Sequence, residues 1–218
     1  MRRISVCDCP SLFSASEAIA KRFDQQRASL DYGVLRRQMS SIRSQYGWGP
    51  SEMDLAIVSV DSKSDTQARF IAALERFGYT VDPVDYRHAF VSMPPGRHHG
   101  DDGDRSVISV ASRIAFLAGL LARYPDAQLL VVSHSFEIFP ALQELARRTP
   151  SGRVGIAYFS SLIDFRFRAT GILDNKGPLH GGVQFYDLEE ALPELFGGAS
   201  VSSAERRNGG EVYAKIGL

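Results

Sequence analysis

Short apolar runs that stop at a polar turn and give way to segments with helical spacing constrain this chain more than any other feature. Arg3 to Asp8 (RISVCD), Asp54 to Asp61 (DLAIVSVD), Tyr79 to Tyr86 (YTVDPVDY), Leu129 to Val132, Arg153 to Phe159 and Val183 to Tyr186 read as strands. Between them a helix is expected from Ser14 to Phe23, capped by Ser14 with Glu17 three residues on. A second helical pattern opens at Leu30 and carries Leu35, Met39 and Ile42 until Tyr46 to Pro50 (YGWGP) stops it. Ser64 to Gly78 is one-sided through Phe70, Ile71, Leu74 and Phe77, and further helices are expected from Arg105 to about Arg123 and from Glu137 to Arg148. Strand and helix therefore alternate. That pattern predicts an α/β fold, a three-layer α/β/α sandwich around a mostly parallel sheet.

Composition adds limits. The 25 basic and 25 acidic residues cancel, so a nucleic-acid surface would have to be a local patch. The apolar run after Arg2 and Arg3 is broken by Asp8 and Pro10 before it reaches signal-peptide length, and no stretch approaches the ~18 apolar residues of a membrane span. A cytoplasmic address is the expectation. Cys7 and Cys9 flank Asp8 in what reads as a strand, which turns both thiols to one face as reduced core residues; two ligands are too few for structural zinc. Residues 1–196 read as one domain and 197–218 as a small, polar, flexible tail with an apolar end, Val212 to Leu218. Ser92 to Gly103, rich in Pro, Gly and charge, reads as a loop.

The stretch VVSHSFEIF, Val131 to Phe139, is where chemistry is expected, because ligands of open α/β sheets gather at the carboxyl ends of strands. Ser135, on the turn after the strand, is one candidate: a serine nucleophile on an elbow, with Asp164 or Asp174 as acid and His180 as the later histidine. Against it, Glu137 stands where the elbow needs a tiny residue, and its charge would oppose an oxyanion. The plainer role for Ser135 is to cap the following helix.

Taken in order, Asp8 closing the first strand (ISVCD), LDYGVL, ALERFGYTV and LLVVSHSFEIFPALQEL resemble the NYN family, a branch of the PIN-like metal-dependent ribonucleases, over roughly residues 3 to 190. The resemblance implies phosphodiester hydrolysis with Mg²⁺ or Mn²⁺ held by acids converging at the strand ends, where the metal activates water and offsets phosphate charge. Asp8 falls on the family's first acid, Glu137 on the last acid of the turn motif, and Asp104 on the first of a helix pair. Ser135 stands where the family has a further Asp, and the second acid of the helix pair is absent, since no acid lies between Asp104 and Asp126. Asp101, Asp102, His98 and His99 are loop donors that could compensate. The expectation is a thinned acidic site in which hydrolysis is weakened or lost, leaving an RNA-binding or regulatory pseudo-nuclease.

Arg166 and Arg168 alternate with Phe165 and Phe167, which suits phosphate contact with base stacking and equally suits a half-buried amphipathic element. Arg36, Arg37 and Arg43 read as the wet face of a helix. A different class stays open: an assembly module that holds a protein partner through the C-terminal tail, or a homo-oligomer.

Overall fold

The computed structural model describes residues 1–22, 29–60, 65–85, 102–169 and 182–196, with backbone alone over 102–109. In chain order the elements are β1 (Arg3–Asp8), α1 (Cys9–Arg22), α2 (Tyr32–Gln45), β2 (Met53–Val60), α3 (Asp65–Arg76), β3 (Thr80–Asp85), α4 (Asp102–Leu121), β4 (Gln128–Val132), α5 (Phe139–Arg148), β5 (Arg153–Tyr158), α6 (Phe165–Ala169), β6 (Val183–Asp187) and α7 (Leu192–Leu195). The six strands form one sheet in the order β3-β2-β1-β4-β5-β6, and every neighbouring pair is parallel. The expected α/β architecture is therefore present.

Alternation along the strands builds two cores. Cys7, Leu130 and Val132 face one way, onto Leu12 and Ile19 of α1, Leu35 and Met39 of α2 and Leu74 of α3. Ile4, Val6, Leu129 and Val131 face the other way, onto Val110 and Ile114 of α4 and Leu142 and Leu145 of α5. Strands buried on both faces must be apolar throughout, which is why these runs show no polar alternation. The sheet grows outward from β1 in one direction and then from β4 in the other, so the crevice between the carboxyl ends of β1 and β4 is the topological switch point.

Three local expectations change. The first helix starts at Cys9, directly after β1, rather than at Ser14: the Asp8 carboxylate accepts the Ser11 amide at 3.1 Å and caps α1 itself, with Pro10 in the first turn. Cys9 is therefore helical, not a strand partner of Cys7, although both thiols are buried and burial pushes that of Cys7 up to about 12. Arg43 is not on a wet face. It is 2% exposed, donating from Nε to Gly49 O (2.8 Å) and from Nη2 to Gln128 Oε1 (2.9 Å), and burial lowers its pKa to about 10. This guanidinium ties the end of α2 to the entry of β4.

Among the described residues no helix is long and apolar enough to cross a membrane. The 92–101 part of the loop, with His98, His99 and Asp101, lies outside the described residues, as do the tail from Gly197, Asp174 and His180.

Candidate functional site

At the switch point β1 and β4 end side by side, with Cys7 in register with Val132, so the next residues on each strand, Asp8 and Ser133, are brought together. The Ser133 hydroxyl donates to Asp8 Oδ2 at 2.6 Å, while Oδ1 takes the Ser11 amide. Both Asp8 and Ser133 are fully buried. Burial raises the Asp8 pKa from 3.8 to about 6, against the two hydrogen bonds, which favour the carboxylate. Ser133 Oγ also accepts the Ser135 amide at 3.1 Å, which fixes the turn after β4.

His134, on the other face, is 7% exposed and stacks on Phe159 with ring centroids 5.1 Å apart. The Phe159 amide donates to its Nε2 at 3.0 Å, so that nitrogen carries the lone pair and the proton sits on Nδ1. Nδ1 lies 3.3 Å from Ser11 Oγ, which also accepts the His134 amide at 2.8 Å. Burial lowers the His134 pKa to about 4. The imidazole is thus neutral, held by both nitrogens, and acts as a brace between β4, β5 and α1. It is not a general base.

Above this floor lies a cavity of about 520 Å³, walled by Ser11, Ser14, Ala15 and Ala18 of α1, by His134, Ser135 and Glu137 after β4, and by Leu162, Asp164 and Arg166. Arg166 dominates the rim. Its Nη1 lies 2.6 Å from Glu137 Oε1, and its Nη2 lies 2.7 Å from Asp164 Oδ2, with Nε 3.1 Å from both Asp164 oxygens. The guanidinium lowers the Asp164 pKa, and the two carboxylates raise that of Arg166. All three groups are partly exposed, so the triad orients side chains more than it stabilises the fold, at ~0–1 kcal/mol per pair.

The anticipated residues do not form one cluster. Asp8 sits beneath the turn, sealed by Ser133 and Ser11, and Glu137 projects to the rim against Arg166. Ser135 caps the single 3₁₀ turn from Phe136 to Ile138, its hydroxyl accepting the Glu137 amide at 3.3 Å. Asp164, the acid nearest in sequence for a serine triad, is committed to Arg166, and no described histidine nitrogen is open to Ser135. Asp104 lies in the first turn of α4, but its side chain is outside the described residues. Arg168 donates to Ser160 O, and Phe165–Ala169 is helical, burying Phe167 and leaving Phe165 73% exposed.

A divalent ion would need several oxygen anions free to converge on one point. Among the described residues no three His, Cys, Asp or Glu side chains do so. Asp8 has both oxygens engaged in a dry site, and Glu137 and Asp164 already share a resident cation, the Arg166 guanidinium. The described donor set does not fit Mg²⁺ or Mn²⁺. No protein-family profile, curated protein or solved structure matches the chain.

The sequence reading missed Ser11, Ser133 and His134 as the groups that hold Asp8 and the turn. The one available signal was the polar triplet Ser133-His134-Ser135 directly after a buried strand, because polar groups in such a place must find partners.

Proposed function

We propose that the chain is an NYN-type, PIN-like domain that acts on RNA as a non-catalytic binding or regulatory module. The observation that carries this reading is the Glu137–Arg166–Asp164 triad at the switch point. Glu137, one of the acids the resemblance assigns to a metal, is paired with the Arg166 guanidinium, and the strand-end acid Asp8 is sealed by Ser133 and Ser11. The all-parallel sheet, an acid closing β1 and the turn after β4 support the PIN-like assignment. RNA as ligand is supported by the chemistry of the rim: the Ser11, Ser14 and Ser135 hydroxyls line the cavity, and Phe165, which falls in sequence between the lining residues Asp164 and Arg166, is an exposed ring on which a base can stack.

Fluorescence anisotropy with a labelled single-stranded oligoribonucleotide tests the reading, alongside a cleavage assay in Mn²⁺. Phe165→Ala should weaken binding by about 5- to 100-fold, as loss of one stacked base does. Mn²⁺ should elicit no cleavage. Failure to bind RNA would remove the RNA role, and cleavage that Asp8→Asn abolishes would make the chain an active nuclease.

A further inference from the structure

An exposed glutamate ordinarily swings among its rotamers, because fixing it costs conformational entropy that a solvated contact does not return. Glu137, whose side chain is 45% exposed, is nonetheless fixed by a series of contacts that starts in the core. The buried Phe167 meets Phe136 edge-on, with ring centroids 4.9 Å apart, and the Arg166 guanidinium lies over the Phe136 ring, 5.0 Å from its centroid. Asp164 takes the edge of that guanidinium, with Nε 3.1 Å from Oδ1 and Nη2 2.7 Å from Oδ2. Held on two sides, Arg166 then presents Nη1 to Glu137 Oε1 at 2.6 Å. Among the described residues no hydrogen bond reaches the second oxygen, Oε2, and Glu137 lines the cavity. Pairs this exposed add little stability, so what the contacts supply is a fixed direction for the carboxylate.

Charge and shape decide what such a carboxylate can hold. Glu137 and Asp164 outnumber the single guanidinium, so the mouth of the cavity carries a negative charge in excess and repels phosphate. A neutral base is not repelled. Ala15, Ala18 and Leu162 offer apolar walls to the faces of a ring, while Ser11, Ser135 and Glu137 offer polar groups to its edge. An ionised carboxylate only accepts, and it is best matched by two parallel N–H donors. Guanine alone among the four RNA bases presents that pair on its Watson–Crick edge, N1–H beside N2–H. Adenine and cytosine set one amino group beside a ring-nitrogen acceptor, and uracil sets one N–H between two carbonyls, so each would turn a lone pair toward the carboxylate.

We infer that, with RNA as the ligand proposed above, on which this step rests, Glu137 makes the cavity selective for guanine, accepting N1–H and N2–H at its two oxygens while the phosphates stay outside. Oε1 has a second lone pair beyond the one that Arg166 uses, so the base adds to the ion pair without breaking it.

Fluorescence anisotropy on the full chain tests this with oligouridylates that differ only in carrying guanosine, inosine or adenosine at one central position. Wild type should bind the guanosine form about 5- to 100-fold more tightly than the adenosine form, with inosine, which lacks the N2 amino group, in between. Glu137→Gln should bring the three affinities together with an unchanged circular dichroism spectrum, because its amide offers one acceptor where the carboxylate offers two. Phe165→Ala, by contrast, should weaken all three alike. Equal binding of the three forms by wild type would leave RNA as the ligand and overturn guanine selectivity. If none of them binds, RNA is removed as the ligand, and titration of the nitrogen-15-labelled chain with GMP and with AMP decides the rest. Amide shifts at Ser135 and Leu162 with GMP, at concentrations where AMP causes none, would retain the guanine site, and their absence would overturn it. An arginine-containing peptide that shifts those amides where GMP does not would assign the carboxylate to a protein guanidinium and equally overturn it.

Discussion

Replacing Asp8 with asparagine should make this protein more stable near neutral pH, the opposite of what loss of a carboxylate held by two hydrogen bonds usually does. Asp8 is fully buried, and no described cation lies against it. Its pKa rises from 3.8 to about 6 because the charge is held in a dry site. At ~1.36 kcal/mol per tenfold change in acidity constant, that rise corresponds to about 3 kcal/mol of stability forfeited once the group is ionised in both folded and unfolded chains. The sign follows from the direction of the shift. Below the unfolded pKa both forms are protonated and nothing is lost; as pH rises through 3.8 the unfolded chain releases its proton first, and the loss is complete above about 6. Asparagine keeps the volume and can still accept the Ser133 hydroxyl, but its amide group turns toward the Ser11 N–H and leaves that donor unpaired, at ~1–2 kcal/mol. A net gain of about 1–2 kcal/mol is expected near pH 8, and because wild type recovers about 3 kcal/mol toward low pH the order should reverse near pH 4, with the variant then about 1–2 kcal/mol the less stable. Urea unfolding followed by circular dichroism at several pH values reads both quantities. A variant that is less stable than wild type near pH 8, by a margin that does not change with pH, would mean that the Asp8 charge is compensated, and the argument from burial would fail.

The His134 brace makes a prediction of opposite slope. With its pKa held near 4, the folded chain resists protonation, so its contribution is intact above the usual imidazole value and is lost as pH falls through the range from about 6.5 to 4. Nitrogen-15 NMR should show Nδ1–H as the single tautomer at neutral pH, and a signal from Nε2–H would contradict the hydrogen bond from Phe159. Gly155→Ala should cost about 1–3 kcal/mol, because its Cβ would stand 2.8 Å from Tyr186 Cε2 and 3.3 Å from Trp48 Cη2; a melting temperature within a degree or so of wild type would show that these rings yield freely.

Much of the scaffold could be read from the order of residues. Strands buried on both faces leave uninterrupted apolar runs, and β1, β2, β4 and β5 fall within a residue or two of where those runs predict them. The start of α1 was harder because Asp8 has two roles, strand end and helix cap, and the apolar cysteine after it prolongs the strand pattern. Arg43 was illegible for a different reason: a guanidinium can be buried when neutral oxygens surround it, and those belong to Gly49, Ile4 and Gln128, which helix periodicity cannot bring together. In the site, Asp8 and Glu137 could be placed at strand ends, whereas the pairing of Glu137 with Arg166, 29 residues away, exists only once β5 lies beside β4.

No residue separates β1 from α1, so the chain has no slack at the spot where its buried acid sits. An added residue between Asp8 and Cys9 would rotate α1 by about 100° and swing Leu12 and Ile19 out of the interior. Adaptation at this crevice is thereby channelled to the exposed side chains of the opposite wall, Glu137 and Arg166, because their neighbours Ile138 and Phe167 are themselves anchored in the core.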